Sequence, residues 1–239
     1  MKEQTAIVTG GNSGIGKAIA TRLAEAGWRI IVAGRREEKN REVADNLNRK
    51  YAGEVMPMRA DVSEEEDCQT LVKKAQSAWG RLDLLVNNAG IGPSSTTMAE
   101  GRTEDLERVM RTNVYGPFWC SKHAWNLLDK NEPDARTGVR GSIIHVASLC
   151  SVDAWAGIGF YAMSKHALLA LSKTLSDEGT ERAIRSTAIC PALVATPMND
   201  PEDNNAITPD DIAGTVMYLL SLSSNAWPTE LVINRRGAD

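Results

Sequence analysis

Short apolar runs alternate with longer stretches of helical periodicity along the whole chain, and this alternation limits the available folds more than any other feature. The apolar runs are TAIVT (5–9), RIIVA (29–33), GEVMPMRA (53–60), LDLLVNN (82–88), GSIIHVAS (141–148), IRSTAIC (184–190) and ELVIN (230–234). They are near-continuously apolar rather than alternating with polar residues, as parallel strands covered on both faces are. Helical patterns fall between them, near 14–26, 36–50, 63–79, 103–129, 160–178 and 209–222. The pattern predicts an α/β fold: a Rossmann-type, doubly wound parallel sheet of about seven strands with helices on both faces. With 239 residues, 42% of them hydrophobic, one core suffices, and residues 1–239 are read as one domain.

Local signals place some helix ends. Gly27 stops the first helix. Ser63 and Glu66 have capping-box spacing at the start of the third. Thr208 is placed as an N-cap, with Pro209 at the first helical position, where a missing N–H costs nothing. The polar, turn-rich segment NEPDARTGV (131–139) is expected to be a surface excursion.

Charge and cysteine usage exclude several function classes. The net charge is −4 and no long basic run offers a phosphate-tracking face, which argues against nucleic acid as a partner. No apolar run approaches the roughly 18 residues of a membrane span. The N-terminus lacks signal-peptide anatomy, so a cytoplasmic protein without a membrane partner is expected. Cys68, Cys120, Cys150 and Cys190 are far apart, with no C-x-x-C pair, and read as buried thiols in a reducing compartment. The three histidines form no spaced cluster with them, and no metal site is expected.

The first strand runs into TGGNSGIG (9–16). Gly10, Gly14 and Gly16 sit where the chain must turn sharply into a helix, and glycine lets backbone amides approach an anion at the helix N-terminus. A tight βα turn that binds nothing has the same local sequence. The position after the first strand of a βαβ unit favours the phosphate reading. The second strand ends in Gly34, Arg35 and Arg36, where many dinucleotide-binding folds carry an acidic residue for the ribose. A guanidinium can hold a 2′-phosphate bidentately, which points to NADP(H) rather than NAD(H). The bland alternative, arginines capping a solvated helix start, puts cations at the positive end of a helix.

Tyr161 and Lys165, in YAMSK (161–165), lie one helical turn apart and so share a face. An ammonium beside a phenol favours the phenolate, which would let Tyr161 pass a proton; a solvated surface pair has the same spacing.

Together these residues resemble the short-chain dehydrogenase/reductase family over essentially the whole chain, and among its members those acting as 3-oxoacyl-acyl-carrier-protein reductases. TGGNSGIG matches the family's phosphate loop, which implies contacts from Gly10, Asn12, Ser13, Gly14, Ile15 and Gly16. ADV (60–62) places Asp61 and Val62 at the adenine, and NNAG (87–90) places Asn88, Ala89 and Gly90 along the cofactor. Asn113 in TNVYG resembles the active-site asparagine, and Ser148 lies thirteen residues before Tyr161, as the family's serine does. Beyond the sixth strand, Pro191, Val194 and Thr196 fall where the family contacts the nicotinamide. The resemblance implies Tyr161 as general acid in reduction and general base in oxidation, with Ser148 polarising the carbonyl. Lys165 would hold the nicotinamide ribose and lower the Tyr161 pKa, and Asn113 would hold a relay water.

Three departures from the family pattern stand out. Ala192 follows Pro191 where glycine is usual, and must avoid positive φ or carry strain. The segment PMNDPEDNNAI (197–207) is short for a substrate cover and is expected to be an acidic, mobile lid over an open site. The C-terminal Val-Asp-Gly-Gly is replaced by VINRRGAD (232–239), which leaves its usual interface role in doubt.

Substrate walls are expected from 93–98, 149–159 and 192–207, including Cys150, Trp155, Leu193 and the catalytic Ser148 and Tyr161. This lining suits a neutral ketone or secondary alcohol. Trp155 is equally compatible with a buried anchor or an interface, and Cys150 reads best as a small buried thiol. The reading is an NADP(H)-dependent carbonyl reductase or alcohol dehydrogenase, a homotetramer or homodimer by resemblance. A 3-oxoacyl-acyl-carrier-protein reductase and a non-catalytic NADP(H)-binding regulator stand as alternatives.

Overall fold

In the computed structural model, which describes residues 4–199, 205–235 and 237, seven strands form one parallel sheet. They are β1 (Thr5–Thr9), β2 (Arg29–Gly34), β3 (Val55–Arg59), β4 (Leu84–Asn87), β5 (Gly141–Val146), β6 (Ile184–Pro191) and β7 (Glu230–Ile233). Their order across the sheet is β3-β2-β1-β4-β5-β6-β7. The chain begins at the centre, builds out to one edge, returns to the centre and builds out to the other. The direction of winding reverses between β1 and β4, so a crevice opens at the C-terminal ends of those two strands.

The helices are α1 (Gly14–Glu25), α2 (Glu37–Lys50), α3 (Glu65–Trp79), α4 (Thr103–Met110), α5 (Gly116–Asp129), α6 (Gly159–Gly179) and α7 (Pro209–Ser221). The two-residue period of the strands divides the core between the two faces. Val8, Val32, Val86 and Ile144 pack with α1, α2 and α7 on one face. Ile7, Ile31, Leu85 and Ile143 pack with α3 and α5 on the other. The near-continuously apolar reading holds for the inner strands. It fails at edge strand β3, where Pro57 and Arg59 are exposed, an edge being where a strand tolerates a proline.

One local expectation is corrected. The Ser63–Glu66 capping box does not form, because α3 begins at Glu65 with Glu64 as its N-cap. Ser63 instead donates its hydroxyl to the Asp61 carboxylate at 2.7 Å. Residues 131–139 form the expected turn-rich surface excursion, held in place where Asn131 donates to the Arg140 carbonyl at 2.9 Å and Arg136 to the Ser221 carbonyl at 3.0 Å. The Thr208 cap forms as expected, reciprocated by Asp211, with Pro209 at the first position. Among the described residues no helix is long and apolar enough to cross a membrane, and no His/Cys/Asp/Glu group could hold a metal ion.

Candidate active site

The crevice at the reversal of winding opens into a cavity of about 770 Å³. One end is the turn after β1. Gly14 has φ of +50°, and a Cβ there would stand 3.2 Å from the Thr196 methyl. The Thr196 segment beyond β6 thus closes directly over the glycine turn. A Cβ on Gly16 would overlap the Gly10 carbonyl, so this glycine lets α1 seat against the turn. Asn88, at the end of β4, donates its amide to the Thr9 and Gly10 carbonyls at 2.9 and 3.2 Å. The two strand ends flanking the reversal are therefore tied together.

The other end gathers Ser148, Tyr161 and Lys165. Ser148 follows β5 and caps a short 3₁₀ turn (Leu149–Ser151), accepting from the Cys150 N–H at 3.2 Å. Ser148 is thus a strand-end turn residue that also lines the cavity. Lys165 is buried and donates to the Val146 carbonyl at 3.0 Å, with its ammonium 5.5 Å from the Tyr161 ring centre. Burial pulls Lys165 down to about 8, because desolvation disfavours the cation. Tyr161 is pushed up to about 12, first by burial, with the Ser148 hydroxyl acting in the opposite direction. The expected lowering of Tyr161 by Lys165 is thus not what these surroundings produce; desolvation of the phenolate dominates. Behind the site His145 is buried and held neutral, its pKa pulled down to about 3 by desolvation and then by the Lys165 charge.

Asn113 is not in the cavity wall. It lies in a π-helical turn (Arg111–Tyr115) between α4 and α5. Its side-chain oxygen accepts from the Ile91 N–H at 2.7 Å, and its amide donates to the Ile91 carbonyl and the Ser164 hydroxyl, both at 3.0 Å. Both amide donors of the side chain are thus engaged by protein. Its main-chain carbonyl remains. Four residues on stands Pro117, which has no N–H to offer it. Here the ladder lengthens to five residues, as from Gly116 N–H to the Arg111 carbonyl.

The Gly34 end is a separate polar corner. Asn12 donates to the Asn40 side-chain oxygen at 2.6 Å, and Asn40 in turn donates to the Gly34 and Met58 carbonyls at 2.8 Å each. Arg36 approaches the Asn12 oxygen at 3.5 Å, and Arg35 is exposed. The Asp61 carboxylate is held by Ser63, and Val62 is buried beneath Gly116. Sequence reasoning missed Asn40; the signal was a polar residue on the inward stripe of a charged helix.

The profile of the short chain dehydrogenase family matches residues 4–206. The chain belongs to that family, a family of oxidoreductases. Among curated relatives, this short chain dehydrogenase is 34% identical to momilactone A synthase of rice, Oryza sativa, covering 91% of this chain and 83% of that protein. It is 32% identical to farnesol dehydrogenase of Aedes aegypti, covering 98% and 96%. Among solved structures, an alcohol dehydrogenase from Thermococcus sibiricus in complex with 5-hydroxy-NADP superposes with a TM-score of 0.89 at 26% identity, over 100% of this chain and 98% of that one. A metagenomic short-chain oxidoreductase in complex with NADP superposes with a TM-score of 0.84 at 27% identity, over 98% and 97%.

In this short chain dehydrogenase Leu149, Cys150, Trp155, Leu193 and Met198 also line the cavity. Cys150 is buried as expected, and Trp155 is 52% exposed, so it is no buried anchor. Ala192 avoids positive φ, since among the described residues other than glycine only Ala183 has one. The base of the lid is fastened: Asn199 donates to the Val194 carbonyl at 3.1 Å, and Ile207 to the Leu193 carbonyl at 2.9 Å. Met198 crosses the cleft to lie against Gly92. The acidic stretch 200–204, on which the mobile-lid expectation rested, is outside the described residues. Arg235 and Gly237, from the atypical C-terminal tail, also line the cavity; sequence reading had assigned that tail to an interface at most.

Proposed function

We propose that the protein is an NADP(H)-dependent carbonyl reductase, working reversibly on a secondary alcohol, with Tyr161 as the group that gives or takes the proton. The observation that carries this reading is the convergence of Ser148, Tyr161 and Lys165 at one end of a single cavity whose other end is the Gly10–Ile15 turn. The residues fit a dinucleotide. Gly10 and Gly14 have positive φ, where a Cβ would press on Asn88 and on Thr196, and the N-terminus of α1 that starts there favours an anion. Two solved structures of the same fold contain NADP or a hydroxylated form of it.

In this reading Gly10, Asn12, Ser13, Gly14, Ile15 and Gly16 hold the pyrophosphate. Arg35 and Arg36 take the 2′-phosphate, with Arg36 steered by Asn12 and Asn40. Asp61 and Val62 hold the adenine, and Asn88, Ala89, Gly90, Pro191, Val194 and Thr196 line the nicotinamide end. When bound, the nicotinamide supplies or accepts the hydride. Ser148 orients the substrate oxygen toward Tyr161. Tyr161, with its proton held firmly through neutral pH, donates it to the oxygen of a carbonyl undergoing reduction. Lys165 gives a cation that stabilises the phenolate left behind. Asn113 fixes the 90–91 loop against α6 rather than touching substrate.

A homo-oligomer accompanies this function. Tyr115, Phe118 and Met163 expose 45–47% of their surface on α5, α6 and the π turn, and such grouped apolar exposure suits contact with a second copy.

Replacing Tyr161 with Phe tests the mechanism. Turnover of a carbonyl panel should fall by about 10³-fold or more, while NADPH binding, read by nicotinamide fluorescence, stays near the wild-type value. Full turnover in the variant would remove Tyr161 from the chemistry.

A further inference from the structure

We infer that the substrate of this cleft carries its carbonyl or alcohol on an extended apolar body of about eight carbons or more, and that this body leaves the cavity over a rim formed by Met98, Trp155 and Met198. The inference rests on the oxidoreductase reading of the same cleft and narrows it from neutral ketones in general to lipophilic ones.

The rim is built where the segments after β4, before α6 and after β6 meet. Residues 91–101 cross the start of α6. The Thr96 N–H donates to the Gly157 carbonyl at 3.2 Å, and a Cβ on Gly101 would overlap the Phe160 ring. Met98 lies over Gly159, two residues before Tyr161, so closely that a Cβ there would overlap its sulfur. Met198 lies over Gly92 in the same way, its sulfur 2.9 Å from where a Cβ would stand. Each thioether thus rests on the bare backbone of a neighbouring segment. Yet Met98 and Met198 are 60% and 55% exposed, so the glycine seats leave most of each side chain uncovered.

An apolar side chain exposed alone is ordinary, but several grouped at one opening mark a contact surface. Trp155 and Met198 belong both to the cavity wall and to the exposed set. The rim is therefore continuous with the cleft and leads inward past Pro93, Leu149 and Leu193 to Tyr161. The cofactor, in this reading, takes the glycine turn, Asn88–Gly90 and Thr196, which leaves a substrate the stretch between Tyr161 and the mouth. A small ketone would reach Tyr161 and leave the rim in water. A longer apolar body covers it, and each methylene so buried is favourable. The charged groups of the wall do not call for a charged body. Asp153 accepts from the Ala154 N–H at 2.8 Å, Lys165 donates to the Val146 carbonyl, and Arg235 is engaged within the protein. Unbranched thioethers change rotamer at little cost, so the rim follows the shape of the body laid on it.

The test uses straight-chain 2-ketones from 2-butanone to 2-decanone with NADPH. The wild-type kcat/KM should rise about twofold or more for each added methylene. In Met98→Ser, and likewise in Met198→Ser, the ratio between the two ends of the series should fall about fivefold or more. In Met98→Leu, which restores apolar cover, it should stay within about twofold of the wild-type ratio. If one serine variant does not fold, the other decides. A flat series, or a ratio unmoved in a folded serine variant, would overturn the inference. A lower mass of Met98→Ser by light scattering, with the ratio unmoved, would give the rim to a second copy of the chain instead. If no ketone is turned over, the oxidoreductase reading fails, and calorimetric titration of 2-butanone and 2-decanone into the protein alone decides the rim. Binding of 2-decanone tighter by about tenfold or more, lost in the serine variants, would support it; equal binding, or binding of neither, would overturn it.

Discussion

Lys165 meets two opposed demands. In the proposed mechanism its ammonium is needed beside Tyr161, yet burial makes the charged form costly and draws its pKa from 10.5 to about 8. A lysine whose folded pKa lies below its unfolded one destabilises the fold wherever the unfolded chain is protonated and the folded site resists. That cost is fully present below pH 8 and disappears as pH rises through about 10.5. Lys165→Met should therefore stabilise the protein at pH 7 by about 2 kcal/mol, after allowing for the lost bond to the Val146 carbonyl, while abolishing turnover. Urea unfolding of both proteins at pH 7 and pH 10 checks this. The gap should shrink at the higher pH, and a variant less stable at both would show that the bond to Val146 outweighs desolvation. The YAMSK spacing showed in sequence that Tyr161 and Lys165 share a helix face. It could not show which force governs each pKa, because burial depends on β5 and β6 packing behind them.

The elements were legible wherever hydrophobic period and local chemistry agreed. All seven strands, the α1 stop before Gly27 and the Thr208 cap of α7 follow from residues near one another in the chain. The misses come from contacts at a distance. The expected helix near 103–129 divides at the π turn, where Pro117 removes a donor, and the Ser63 hydroxyl goes to Asp61 rather than to α3. The exposed side chains on α5 and α6 point to a partner surface. Tyr115 and Trp119 stack edge-to-face with centroids 5.7 Å apart, and Arg111 covers the Trp119 ring at 5.6 Å, leaving Phe118 as the protruding residue between them. Phe118→Arg should lower the mass measured by light scattering to that of a smaller assembly, because a charge set in an apolar contact is costly. An unchanged mass would put the contact elsewhere.

At the scale of the whole molecule, sheet order decides what comes together. The reversal between β1 and β4 brings the glycine turn, Asn88, Ser148, Tyr161 and Lys165 to one edge from segments up to about 150 residues apart in sequence. Short motifs in register made most of that set readable. Arg235 was not readable, because only the pairing of β7 with β6 carries the tail back to the cleft. The same edge also ties the Arg36–Asn12–Asn40 corner to the glycine turn, and the choice of cofactor is the claim on which the rest of the proposed chemistry depends. The direct measurement is a titration of the purified protein with NADPH and with NADH, followed by nicotinamide fluorescence. It is repeated on the protein carrying Arg35→Ala together with Arg36→Ala. The account predicts binding about tenfold tighter or more for NADPH, falling to parity in the double variant. Tighter binding of NADH, or an NADPH preference untouched by removing both arginines, would contradict it.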